Sequence, residues 1–230
     1  GRDLTGANLS GRDLCGVDFR SAILARADLS ECRLEGADLT GAKLAGADLR
    51  KADLRRAILR GADLAGAKLA ESDLSGTDLT EADFEGADLS KSRLTSASAS
   101  GAIFLKAVLV GADLRGANFE RAVFEESRLH RADFSECVLK SANFLRSWGR
   151  NVKFTRAAAA EVRMTEARLP GADLTDLRAD GSVWEKAYLP GGDFSRARLS
   201  RAELSSAYLA PAKFTQAKLR TARLVEVSLR

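Results

Sequence analysis

Histidine, cysteine, proline, methionine and the larger aromatic residues are scarce in this sequence, and each scarcity closes a class of explanation. One His and three Cys in 230 residues cannot supply the usual zinc ligand sets, and three Cys are too few for a disulfide scaffold. Three Pro, two Trp, two Tyr and one Met leave a composition dominated by Ala, Leu and charged residues, with ten Phe as the main aromatic component. Long apolar runs are missing too. The longest uncharged stretch, Leu94 to Leu105, is 12 residues and rich in Ser, well short of the ~20 apolar residues of a membrane-spanning helix. The chain opens Gly1-Arg2-Asp3-Leu4, with no basic-then-apolar secretory leader. It therefore reads as a cytoplasmic-type, reduced chain. Lacking an initiator Met, it also reads as a domain of a longer protein. With 45% hydrophobic and 30% charged residues it has the means to fold.

What is present is a period of five. Stepping from Leu4 to Leu229 visits 46 positions, of which 30 are Leu and 10 are Phe; the others are Ala99, Gly149, Ala159, Met164, Ala179 and Trp184. Every Phe of the chain falls in this central slot. Two residues earlier lies a slot that is Ala at 30 of 46 positions, with Arg2, Arg12 and Leu177 as its large exceptions. Of the 19 Gly residues, 17 fall two places after the centre. The register holds from end to end.

Neither regular element accommodates such a period. On an α-helix a step of five advances ~140° beyond a full turn, so the Leu residues wind around the cylinder and leave no apolar face. In a straight strand an odd period throws successive centres onto opposite faces. A short extended pair, small residue and then large residue two places on, both pointing inward and followed by a corner, satisfies the pattern. Repeated, it coils into an all-β solenoid with Leu and Phe stacked along the axis and Ala filling the narrow space beside them.

The repeated Ala-Asp-Leu of Ala27-Asp28-Leu29, Ala37-Asp38-Leu39, Ala47-Asp48-Leu49, Ala112-Asp113-Leu114 and Ala172-Asp173-Leu174 resembles the pentapeptide-repeat family, and the resemblance covers residues 1–230 as a single domain. It implies a right-handed quadrilateral β-helix with four pentapeptides per coil. Forty-six pentapeptides then make about 11.5 coils, a rod roughly 55 Å long at ~4.8 Å between neighbouring strands. Gly1 and Arg230 both lie in register, so the open coil ends call for flanking domains or an end-to-end dimer partner.

The irregular centres read as exchanges of volume. Ala179 is accompanied by Leu177 in the small slot and by Trp184 at the next centre, and Ala159 by Met164. Gly149 has no such compensation, so around Ser147-Trp148-Gly149 either the backbone distorts or Trp148 turns partly inward.

Groups able to carry chemistry are few. His130 occupies an outward slot and reads as a solvated surface residue. Cys32 and Cys137 replace Ala in the small slot and read as core, while Cys15 is outward. The many Asp residues just before the centre, among them Asp28, Asp38 and Asp48, suit bonds to nearby backbone amides that support the turn. No catalytic residue, metal site or cofactor is expected, and the chain does not read as an enzyme.

Two surface features invite binding. Stepping by 20, the slot before the centre reads Arg128, Trp148, Arg168, Tyr188 and Tyr208, cations alternating with aromatics as at interaction hot spots. Between Glu136 and Glu161 there is no acid, only Lys140, Arg146, Arg150, Lys153 and Arg156, a candidate basic patch. Residues 1–100 carry 14 basic and 17 acidic side chains, whereas residues 101–230 carry 22 and 15. The leading expectation is a non-catalytic protein-interaction scaffold or adaptor rod belonging to a larger bacterial protein, in the manner of tracts attached to secretion-associated proteins and effectors. An alternative from the resemblance is a regulator that binds DNA gyrase or another topoisomerase, of the quinolone-resistance type. Against it stand the net positive charge, Leu rather than Phe at most centres, and no projecting loop. Direct nucleic-acid binding by the basic second half is a third reading.

The inward/outward assignment makes a sharp prediction. Leu54→Asp should lower the melting temperature far more than Asp53→Ala, because a buried Leu contributes ~1.5–3 kcal/mol while its neighbour faces water; equal shifts in a thermal melt would contradict it.

Overall fold

In the computed structural model, which describes residues 2–228, the backbone pairs with itself at a constant offset of 20. Parallel bridges link Asp3 to Ile23, Ile23 to Lys43, Asp28 to Asp48, and so on without interruption to Tyr208 and Ser228. Four pentapeptides thus separate the partners in every bridge, and each pentapeptide contributes one side of a coil. Leu229 and the terminal residues Gly1 and Arg230, part of the reading of open coil ends, lie outside the described residues.

Extended structure is confined to single bridge residues rather than continuous strands, because each side is only about three residues long before the next corner. Within one repeat the hydrogen bonds can be counted out. The residue before the centre donates to the coil behind (Asp28 N–H to the Ala7 carbonyl, 2.9 Å), and the centre donates to the coil ahead (Leu29 N–H to Asp48, 2.7 Å). The corner residue also donates forward (Glu31 N–H to Arg50, 2.9 Å), and the next small-slot residue closes the turn (Cys32 N–H to Leu29, 3.2 Å). That leaves one amide per repeat, the residue just after the centre, with no backbone partner. The preceding Asp supplies one: Ser30 N–H bonds Asp28 Oδ1 at 3.0 Å and Ser75 N–H bonds Asp73 Oδ1 at 2.9 Å. Where Ser or Thr follows the centre, its hydroxyl donates to the same oxygen, as from Thr40 to Asp38 at 2.6 Å. The Asp slot expected to support turns does so through this bond.

Every corner residue with a positive φ stands two places after a centre. Gly supplies 16 of them, and 28 others are Glu, Lys, Arg, Ser and similar residues with φ between +52° and +63°. Left-handed backbone costs a non-glycine residue roughly 1–2 kcal/mol, which accounts for the Gly preference of this slot. Most of the exceptions, all but Gln216, Thr221 and Glu226 in the last coil, are held in this conformation by the forward hydrogen bond of their corner.

Inside, the centres form a dry core. Leu54 is fully buried, and so are Trp184, Met164, Ala159, Ala179 and Leu177, consistent with volume exchanged between neighbouring positions. Phe84, Phe104, Phe124 and Phe144 stack up one side at centroid spacings of 5.0, 4.9 and 4.7 Å, and Phe134 meets Phe124 edge-on at 5.2 Å. Trp184 satisfies its indole N–H on Ser182 Oγ at 2.6 Å. Cys32 and Cys137 are buried and each donates its thiol to a backbone carbonyl of the preceding coil. Burial pushes the Cys137 thiol up to about 12. Arg2 and Arg12 differ from the rest of their slot: both are exposed, in the first coil.

Arg residues two places after an Asp fold back onto it. Arg20 holds Asp18 through Nε at 3.0 Å and a second nitrogen at 2.6 Å, which lowers the Asp18 carboxyl to about 2. Asp48, Asp53 and Asp113 are lowered in the same way by Arg50, Arg55 and Arg115. These carboxylates are depressed in the folded chain, so the stability they contribute is fully present above the unfolded value near ~3.9 and is lost as pH falls through the folded values. The carboxylates should therefore make the melting temperature fall between ~4 and ~2, separately from any loss below ~6.5 caused by protonating His130, which is also depressed in the folded chain; circular dichroism melts that stay level from pH ~4 to ~2 would refute the assignment.

A cationic and aromatic groove on one side of the rod

The Asp slot changes character on one side. Following it by steps of 20, Asp28, Asp48, Lys68 and Asp88 give way to Val108, Arg128, Trp148, Arg168, Tyr188 and Tyr208, joined by consecutive bridges. The five residues singled out in the sequence thus stand in one ladder. Trp148, Tyr188 and Tyr208 are 40%, 44% and 42% exposed, among the most exposed large hydrophobics of the chain. The guanidinium of Arg128 lies over the indole of Trp148, 5.2 Å from its centroid, and the phenol rings of Tyr188 and Tyr208 stack at 5.1 Å.

Replacing Asp by larger residues on this side removes the acceptor for the amide after each centre. Two substitutes appear. His130, one coil behind, accepts Arg150 N–H on Nδ1 at 3.1 Å, while Pro170 and Pro190 have no N–H to satisfy. Asp180 plays the same part elsewhere, accepting Ser200 N–H at 3.0 Å behind Arg198.

His130 is therefore more than the solvated residue expected. It is half-buried, sets its ring edge-on to Trp148 at 4.9 Å, and is held below the usual imidazole range by desolvation and then by the nearby charges of Arg128 and Arg150. The ring is neutral at pH 7, with its proton on Nε2 since Nδ1 is an acceptor.

Gly149 explains why a groove forms here. A Cβ placed on it would lie 2.6 Å from the carbonyl carbon of Leu129 and 2.8 Å from the nitrogen of His130. The backbone of this coil is pressed against its predecessor with no room for a side chain. Among the described residues, the corner from 149 to 152 lacks the closing bond that Ala157 N–H makes to Phe154 at 3.0 Å in the next repeat. Of the two outcomes expected at Ser147-Trp148-Gly149, the structure has the distorted backbone, with Trp148 outward. Nearby, Ser147 Oγ is buried without a hydrogen-bond partner, whereas Ser127 in the same slot one coil earlier donates to the Phe124 carbonyl at 2.7 Å; nothing in the structure explains the difference.

The resulting open groove, about 1350 Å³ in volume, runs beside Trp148, Gly149, Arg168, Tyr188 and Tyr208, with His130, Pro170 and Lys186 on its walls. Glu166, the acid lining it, is engaged by Arg146 at 3.0 Å, and Lys186 sits 3.8 Å from Glu185. Among the described residues, Arg128, Arg150 and Arg168 make no ion pair, so the face carries uncompensated positive charge.

The acid-free run does not form a patch. Lys153 lies 3.6 Å from Asp133, Arg146 is bound to Glu166, and Arg156 pairs with Glu136. Lys140 and Arg150 are half a coil apart and project from opposite sides. A run without acids along the chain is flanked by acids 20 residues away, and those are its spatial neighbours. Only Arg146 and Arg150 of the five line the groove. His130, Gly149, Pro170 and Lys186 were the members that reading along the chain passed over; listing residues at steps of 20 beside Trp148 would have brought them forward.

Fold and face together describe a β-helical repeat protein that carries cations and aromatic residues in one ladder. Eight copies of the pentapeptide-repeat family model match the chain, spanning 3–41, 22–61, 32–69, 57–95, 92–131, 117–148, 185–216 and 193–230. The chain belongs to the pentapeptide-repeat family, whose members are repeat scaffolds. Among solved structures it is similar to HetL, a pentapeptide repeat protein involved in heterocyst differentiation regulation from the cyanobacterium Nostoc, at 28% identity over 99% of this chain and 86% of that one, with a TM-score of 0.35. It is also similar to a trypsin-treated form of QnrB1, a plasmid-mediated fluoroquinolone resistance protein, at 16% identity over 90% and 91% of the two chains, TM-score 0.38. A pentapeptide repeat protein from the cyanobacterium Cyanothece matches at 25% identity over 59% and 85%, TM-score 0.31. No curated protein matches the chain. Among the described residues, no helix is long and apolar enough to cross a membrane, and no cluster of three or more His, Cys, Asp or Glu could hold a metal.

Gly149 should be intolerant of repair. Although Leu is the consensus at its position, Gly149→Leu should lower the melting temperature, since its Cβ would fall inside contact distance of backbone atoms that cannot move independently; a variant more stable than the parent in a thermal melt would show that the indentation is not fixed by backbone packing.

Proposed function

We propose that this chain is a non-catalytic protein-interaction scaffold, a single solenoid domain whose binding face is the side bearing Arg128, Trp148, Arg168, Tyr188 and Tyr208. One observation carries the reading: three large aromatics, each more than a third exposed, sit in one ladder with arginines that have no ionic partner among the described residues. An exposed Trp or Tyr gives up hydrophobic stabilisation unless something covers it, and aromatic and Arg side chains dominate interface energetics. The surrounding rod is rigid because every coil is tied to the next through its backbone, so the face is held ready with little ordering cost. In this reading the rod winds right-handed through about 11.5 coils, and its first half acts as spacer. The organisation of the repeat supports an adaptor-like role in which the partner docks on side chains, most backbone groups being spent between coils.

The test is a quantitative comparison of proteins retained from host-cell extract by the parent rod, by a Trp148→Ala/Tyr188→Ala/Tyr208→Ala variant, and by a control altered at exposed Ile58, Ile103 and Val138. Partners held by the parent and the control should fall by ~10-fold or more on the aromatic variant. An identical retained set on all three would dismiss this side as the binding face.

A further inference from the structure

The groove's chemistry points to the kind of segment it takes. Its aromatic faces are already used within the rod: Arg128 covers one face of Trp148, His130 abuts that indole edge-on, and Tyr188 and Tyr208 stack on each other. Single-stranded nucleic acid binds by laying bases on open aromatic faces. Here one face of each ring is already covered by its neighbour in the ladder, and the guanidinium forks of Arg150 and Arg168 stand beside the rings. Arg150 and Arg168 flank Gly149 and Trp148, both exposed and neither ion-paired among the described residues. The acid in the groove, Glu166, is held by Arg146. Planar guanidinium forks match carboxylates in two-point geometry, and the apolar rings and Pro170 between them suit the side chains of an extended peptide.

We propose that the groove binds a carboxylate-rich, extended segment of a partner protein, with Arg150 and Arg168 holding its acidic side chains and Trp148, Tyr188 and Tyr208 covering the apolar ones. The proposal rests on the reading of this side as a protein-binding face and gives that partner its chemistry. Backbone pairing contributes little to it, because the amides of the groove, His130 N–H apart, are bonded within the rod, accepted by the His130 ring or replaced by proline. Recognition is through side chains, is electrostatic in part, and weakens with salt.

The experiment titrates the full chain with synthetic peptides of about twelve residues, matched in Pro and Leu content and graded from no Asp/Glu to about six, at low ionic strength. Tryptophan emission is the readout, since Trp148 is 40% exposed and Trp184 is fully buried. Affinity should rise ~10-fold or more across the series and fall again at high salt. Arg150→Glu/Arg168→Glu should abolish the dependence on acid content while leaving the melting temperature unchanged, because both side chains are exposed. The proposal is overturned if affinity is indifferent to acid content, if the double variant keeps the same dependence, or if an oligothymidine of similar length binds more tightly than the most acidic peptide. An extract experiment in which no retained partner depends on the three aromatic residues defeats the scaffold reading itself; aromatic-dependent partners found while the peptide series is flat defeat only the acidic-segment inference.

Discussion

Everything in this molecule depends on backbone pairing between residues 20 apart. Because each coil donates to and accepts from the next at the same offset, a side chain's neighbours are set by position modulo 20, not by nearness along the chain. The same pairing leaves one amide per repeat without a backbone acceptor, and where an Asp precedes the centre its carboxylate can receive it. The family's Ala-Asp-Leu signature is thus three demands of one geometry: a small residue that fits beside the core, an acceptor for a stranded amide, and a large apolar side chain that fills the axis.

The groove develops where those demands are released. Where Asp gives way to Trp148, Arg168 and Tyr188, the freed amide is either taken by His130 or deleted by Pro170 and Pro190. Gly149 removes one central side chain and lets the coil settle against its predecessor. Departures that look like decay of the repeat are coupled. Each is the local compensation for another, and together they place exposed rings and unpaired guanidinium groups around one depression. Such clustering of broken local rules on a consistent scaffold is where function is ordinarily found.

Charge was the feature most easily misread. The stretch from Lys140 to Arg156 contains no acid, yet Lys153, Arg146 and Arg156 each meet an acid belonging to a neighbouring coil. The pairs are exposed and contribute little to stability, but they cancel charge where linear reading predicts a patch. The aromatic ladder escaped this error because its spacing of 20 and 40 residues is the coil spacing itself.

The period of five, its apolar centres, the small slot and the acceptor role of Asp were determined by the sequence alone, since each follows from which side chains recur and what a short extended segment with a corner requires. Cys32 and Cys137 could be assigned to the core for the same reason, whereas the ladder of Trp148, Tyr188 and Tyr208 needed in addition the four pentapeptides per coil that the family resemblance implied. That Gly149 packs against Leu129, that His130 serves as an acceptor for Arg150, and that only part of the basic run remains unpaired were decided by the tertiary structure. Those outcomes depend on contacts between coils, where distances of a few ångströms separate residues 18 to 20 positions apart, and local pattern does not measure them.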